Sequence, residues 1–263
     1  MEWIAYAGLG AFAGVLAGLF GVGGGLIIVP VLAILFTHSD MAPPVIMHLA
    51  IGTSLATIVF TSLSSVYAHH RRGAVQWPVV LRLTPGIILG AWLGAAVADR
   101  LPSESLRIIF GVFELLVALQ MGLNLKASAH RGLPGRLGMG LTGGAIGSVS
   151  AIVGIGGGTM TVPFLQWCNV PMRQAVATSA ACGLPIALAG ALGFVVSGWN
   201  NLSLPPMSSG YLYWPAFTGI VIASVLFAPL GARLAHTLPA VQLKRLFALF
   251  LALLGLRMLL GGS

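Results

Sequence analysis

Two stretches of ten residues, 21–30 and 154–163, share the pattern G-[VI]-G-G-G-x-x-x-V-P. Outside the pattern Gly14 and Leu32 match Gly147 and Leu165, so the copies stand 133 residues apart (Gly14 to Gly147) in a chain of 263. Three glycines in a row oppose a helix, because each costs about 1 kcal/mol relative to alanine. The same glycines admit positive φ and let other backbone, or a ligand, come close. A chain that repeats this break at equivalent points of both halves is organised around two interrupted helices.

The medium around the breaks follows from composition. The chain is 57% hydrophobic and 7% charged, with a mean hydropathy of +0.99. A soluble domain carries about 25% charged residues. No soluble core of this size absorbs so much apolar sequence, so the class is a polytopic membrane protein. The 36 glycines suit helices that pack closely or break inside a bilayer. The net charge of +8 is scattered between apolar runs, which argues against nucleic acid and for membrane topology and an anionic solute. Cys168 and Cys182 alone make no disulfide scaffold. Glu2 stands where a signal peptide would be basic, so the first apolar run reads as a retained helix.

Apolar runs predict long helices over 3–20, 48–68, 77–98 and 105–125, and again over 137–153, 174–197, 214–234 and 243–260. Residues 26–36 and 159–167, directly after the breaks, are too short to span. Each half therefore has a broken pair, one long and one short, and three spans. The expected fold is all-α: a first repeat over 1–125, a cytoplasmic linker over 126–136 and a second repeat over 137–263. An odd number of segments turns the second half upside down. Basic residues, which mark cytoplasmic loops, point the same way. Loop 69–77 holds Arg71 and Arg72, while its counterpart 198–213 is uncharged. Loop 37–47 lacks Lys and Arg, while its counterpart has Arg173. Loop 99–106 pairs Arg100 with Asp99 and Glu104, while its counterpart has Lys244 and Arg245. That alternation predicts inverted-topology repeats, with 69–77, 126–136, 168–175 and 236–245 in the cytoplasm and both termini outside.

Inverted repeats with broken helices place a substrate site near the midplane. Helix N-termini there offer free N–H groups and a positive dipole end to an anion. The candidates are Gly23, Gly24, Gly25 and Leu26 in the first break and Gly156, Gly157, Gly158 and Thr159 in the second. The competing account is that the glycines only permit close helix crossing. A dinucleotide loop is excluded, since Leu26 replaces the final glycine and no strand precedes it. Thr53-Ser54 and Thr178-Ser179 occupy matching points of the two halves. Their hydroxyls can donate to an oxyanion, or bond back to their own helix. Glu114 is the one acidic residue well inside a predicted span. Intramembrane carboxyls are costly and functional by default, which suggests proton coupling. A bond to Arg82 or across a helix interface explains it equally, and the equivalent position holds Leu251. Arg82 and Arg257 read as snorkelling residues at span ends. His48 and Arg173 read as boundary residues.

The paired G-x-G-G-G-x-x-x-V-P segments, the two Thr-Ser pairs and the exit Tyr67…Arg71-Arg72-Gly73…Trp77 resemble the sulfite exporter TauE/SafE family of membrane permeases, over essentially the whole chain. In the second half Val196-Ser197-Gly198-Trp199 replaces that exit, so Arg71 and Arg72 are not assigned to the site. The resemblance implies a secondary transporter, an exporter of sulfite, an organosulfonate or a related sulfur anion, multi-pass in a cell membrane such as the bacterial inner membrane. It implies no cofactor. Cys168 and Cys182 then become candidate contacts for a sulfur substrate, against the ordinary role of membrane cysteines in packing. The rivals are an anion channel, an intramembrane enzyme and a membrane scaffold. The enzyme ranks low because the six histidines lie at loops or edges.

Overall fold

The structure, a computed structural model, describes residues 2–20, 24–39, 41–123, 132–234 and 240–261. Among them the chain is almost wholly helical: α1 Glu2–Phe20, α2 Gly25–His38, α3 Ile46–Arg71, α4 Trp77–Arg100, α5 Ser103–Gly122, α6 Arg136–Val153, α7 Gly158–Trp167, α8 Met172–Ser197, α9 Trp214–Leu234 and α10 Ala240–Leu260. A 3-10 turn, Pro43–Val45, precedes α3. Five of the described helices are long and apolar enough to cross a membrane. The protein is an all-α polytopic membrane protein, as expected. Gly21, Val22 and Gly23, most of the linker, and Leu238-Pro239 lie outside the described residues.

Proline sets several boundaries. Pro78 and Pro215 occupy the first turns of α4 and α9, where a missing N–H costs nothing. Pro102 and Pro171 cap α5 and α8, which therefore start earlier than apolarity alone suggests. Residues 200–213 are not a plain loop. They end in an antiparallel hairpin, β1 Ser208–Ser209 and β2 Leu212–Tyr213, turning at Gly210 with φ 55°. Tyr211, Leu212 and Tyr213 are buried, so the hairpin is tucked into the helices.

α3 and α8 are the most enclosed of the five spanning helices. Their contacts run in falling order: a Cβ on Gly52 would meet the Phe194 Cβ at 3.2 Å, one on Gly190 the Leu55 side chain at 2.9 Å, and one on Gly183 the Ser62 Oγ at 3.3 Å. The two helices are antiparallel. α5 and α10 are antiparallel too, with Gly111 against Leu259 and Gly122 against Ala248. The outer pairs run in rising order and are parallel. On α4 and α6, Gly86, Gly90 and Gly94 sit against Gly140, Gly144 and Ser148; on α1 and α9, Gly10 and Gly14 sit against Ile220 and Ser224. These seams leave no room for side chains: a Cβ on Gly14 would lie 2.6 Å from the Ser224 carbonyl oxygen. Gly10, Gly14, Gly86, Gly90, Gly94, Gly143 and Gly147 thus serve backbone-to-backbone packing.

Candidate functional site

The breaks form where the sequence places them. α6 stops at Gly154, whose φ of 75° gives a left-handed cap, with the Gly154 and Ile155 N–H groups donating to the Ser150 carbonyl at 2.9 and 3.0 Å. α2 starts after Gly24, with φ 78°, whose carbonyl accepts from the Ile27 and Ile28 N–H groups at 3.0 Å. The two breaks touch. A Cβ on Gly25 would lie 2.6 Å from the Gly154 oxygen and 2.9 Å from the Ile155 Cα. Ser54, on α3, donates its hydroxyl to that same Gly154 oxygen at 2.9 Å. Gly25 is therefore needed for contact between the halves.

Their linings differ. Leu26, Ile27, Ile28 and Val29 follow the first break, all buried and all apolar. Around the second, Ser150, Thr159, Thr161 and Ser179 bury hydroxyl oxygens that have no hydrogen-bond partner. Ser150 lies in the last turn of α6, Thr159 and Thr161 in the first turn of α7, and Ser179 on α8. Gly157 packs on the backbone of α8, where its Cβ would meet the Ser179 carbonyl oxygen at 3.0 Å and the Gly183 nitrogen at 3.2 Å. The first bond into α7 is Thr161 N–H to the Gly157 carbonyl, 2.9 Å. The N–H groups of Gly158, Thr159 and Met160 precede it and have no acceptor within the helix. Pro163 cannot donate to the Thr159 carbonyl, and Pro30 cannot donate to that of Leu26. A buried hydroxyl left unpaired costs about 1–3 kcal/mol. Four such hydroxyls lie on the helices at the second break, Thr159 and Thr161 on different sides of α7, whose N-terminus is the positive end of its dipole. Among the described residues no Lys or Arg is buried with them. Such a set suits a small oxyanion held by hydrogen bonds.

The other candidates are placed as follows. Thr53 accepts from the Tyr213 N–H at 3.1 Å and Thr178 from the Gln76 N–H at 3.0 Å. Tyr213 and Gln76 each precede a Trp-Pro start, so the two threonines hold the beginnings of α9 and α4 symmetrically. Cys182 is fully buried in an apolar cluster with Leu165 and Ile186. Cys168 is buried at the end of α7, and burial pushes its thiol above the ordinary value. Glu114 is fully buried, and neither carboxyl oxygen has a hydrogen-bond partner. The alternative bond to Arg82 does not form: Arg82 is exposed on α4. His48 lies in the first turn of α3, at a helix boundary as expected, but is buried. It is 4% exposed, bonds the Ala98 carbonyl through Nε2 at 3.0 Å, and stacks on Tyr211 at 4.8 Å.

A model of the sulfite exporter TauE/SafE family matches residues 6–258. The chain belongs to the TauE/SafE family. It is a multi-pass membrane transporter of that type. It is 40% identical over 254 residues to a "Probable membrane transporter protein" of Haemophilus influenzae, covering 96% of each chain. It is 31% identical to YunE of Bacillus subtilis over 76% of this chain and 81% of that one. It is 26% identical to MJ0441 of Methanocaldococcus jannaschii over 96% and 93%. No solved structure matches it. In this TauE/SafE chain Ser150 and Thr161 went unnoticed in the sequence, although the T-M-T run after the second break was a signal. The network of Tyr211, Asp99, Asn201 and His48 gave none. Tyr211 donates to Asp99 at 2.9 Å and accepts from Asn201 at 3.2 Å, across 112 and 10 positions.

Proposed function

We propose that this TauE/SafE transporter carries a small sulfur-containing oxyanion, sulfite or an organosulfonate, as an exporter in a cell membrane such as the bacterial inner membrane. The observation that carries the proposal is the group of buried hydroxyls without a partner, Ser150, Thr159, Thr161 and Ser179, on the helices that meet at the second break. The anion is held there by those hydroxyls and the N–H groups of the Gly156-Gly157-Gly158 turn. Gly24, Gly25 and Leu26 supply the facing wall, and Gly23 completes the same triplet. Thr53 and Thr178 anchor the helices that move. The partners are the anion and the bilayer.

Residues 1–125 and 137–263 act as two inverted halves that rock about the breaks. The antiparallel order of α3 with α8 and of α5 with α10 supports this, since each pair joins equivalent helices of the two halves. Alternating access then needs only that the seam at Gly25 and Gly154 open on one side at a time.

The test is exchange of sulfite, thiosulfate, sulfoacetate and sulfate in liposomes, for wild type, Gly24→Val and Gly157→Val. Both variants should insert and lose exchange; full exchange in both removes the site. A cysteine at position 71 should label only from the cytoplasm and one at 205 only from outside. Labelling of both from one side would make the halves parallel.

A further inference from the structure

Among the described residues, two acid or base side chains of the Asp, Glu, His, Lys and Arg types are buried: His48 and Glu114. His48 is accounted for by Ala98 and Tyr211. Glu114 is not. It sits midway along α5, the helix of the first half that lies antiparallel on α10 of the second, one turn from the Gly111–Gly255 contact. Its neighbours along α5 on the buried face are Phe110, Val117 and Ala118. Position 251 on α10, the counterpart in the second half, is a buried leucine. Packing alone is therefore served by an apolar residue at this seam, and the carboxyl is an addition on one side of it.

Among the described side chains, the charged and titratable groups on the elements around α5 do not neutralise it. On α10 Arg245 and Arg257 are exposed; on α6 Arg136 is exposed; on α3 Arg71 and His70 are exposed, His69 is half-buried in the last turn and His48 is bonded elsewhere. On α5 itself Arg107 pairs with Glu104 at 3.4 Å, two turns before Glu114. An ionised carboxylate enclosed without a partner costs far more than a neutral acid, so the group holds its proton in this state.

We infer that Glu114 is a proton-carrying site of the transporter, holding a proton while the α5–α10 seam is closed and exchanging it with water when the halves rock. This deepens the proposed transport function and rests on it, because it makes the proton the coupled ion. The bond that breaks is the carboxyl O–H; its proton goes to water on the side to which the seam opens, and one is taken up on return. The coupling needs no contact between Glu114 and the anion, since both sites report on one motion of the halves.

Two measurements test it. Infrared spectra of the purified protein in lipid at neutral pH should contain a protonated-carboxyl C=O band that Glu114→Gln removes. An unchanged spectrum in that variant means the group is ionised and overturns the inference, whatever is transported. In liposomes with a trapped pH dye, sulfite or whichever of thiosulfate, sulfoacetate and sulfate exchanges should move protons and run faster under an imposed pH gradient. Glu114→Gln should keep exchange without a gradient and lose the acceleration; Glu114→Leu, which copies the counterpart residue, should behave alike if folded. A Glu114→Gln protein that keeps the full gradient response overturns the inference. Ser179→Ala separates the two accounts. Lost exchange in Ser179→Ala beside an unaltered gradient response in Glu114→Gln removes only the coupling, while intact exchange in Ser179→Ala removes the anion site.

Discussion

The two breaks share a sequence pattern and differ in chemistry. At the matched position before each short helix Gly24 is left-handed, with φ 78°, while Gly157 has φ −62°; both helices have an open first turn and a proline six residues in. The first is followed by Leu26, Ile27 and Ile28, the second by Thr159, Met160 and Thr161. Ser54 and Ser179 stand at matching points, yet Ser54 donates to the Gly154 carbonyl while Ser179 has no partner. The repeat thus supplies a glycine break in both halves, with buried unpartnered hydroxyls on the helices at the second. In the function proposed above, the first break is a close-packed wedge and the second the binding pocket.

The contrast can be broken by substitution. The largest effect is expected at Gly25, where a valine Cβ would be driven into the Gly154 carbonyl. Overpacking of a closed seam costs about 1–3 kcal/mol or more. Gly25→Val should lower the melting temperature sharply and abolish exchange, measured on the detergent-purified protein and in liposomes.

Next come the serines, with opposite signatures. A hydrogen bond to a charged group contributes about 1.5–3 kcal/mol, and each ~1.4 kcal/mol is tenfold in affinity. Ser179→Ala and Thr161→Ala should each weaken anion binding by roughly ten- to a hundredfold, measured by calorimetry, without loss of thermal stability. Ser54→Ala should leave affinity near wild type and cost about 1–3 kcal/mol in stability, because it orphans a buried carbonyl. Equal affinity losses at Ser54 and Ser179 would make the pocket symmetric.

Thr53→Val and Thr178→Val should be alike, each costing about 1 kcal/mol of stability through an unpaired N–H at Tyr213 or Gln76. The smallest effect concerns Tyr211. Burial raises its hydroxyl above the ordinary value of 10, and Asp99 adds to that against the pull of Asn201. A raised value means that the neutral hydroxyl stabilises the folded protein below pH 10 and that this is lost as pH climbs through the raised value. Thermal melts across that range should fall more steeply for wild type than for Tyr211→Phe.

Much of this was legible beforehand because the signals were local. Runs of apolar residues and the Trp-Pro, Leu-Pro and Gly-Gly-Gly punctuation located each helix to within a few positions. Gly24, Gly157, Thr159 and Ser179 were already candidates from the repeat. The remainder depended on contacts between distant positions. Nothing near Ser54 announces that its hydroxyl is taken by Gly154, or that Tyr211 is pinned by Asp99 and so folds 208–213 into a hairpin. Glu114 was visible as an oddity, but its lack of any partner is a property of the packed seam.

The most direct test of the asymmetric pocket is to locate the bound anion. Selenite has the shape and charge of sulfite and scatters anomalously, so crystals grown with it should show one selenium peak beside the N–H groups of Gly158 and Thr159 and the hydroxyls of Thr161 and Ser179. A peak at Gly24–Leu26, or equal peaks at both breaks, would contradict the account.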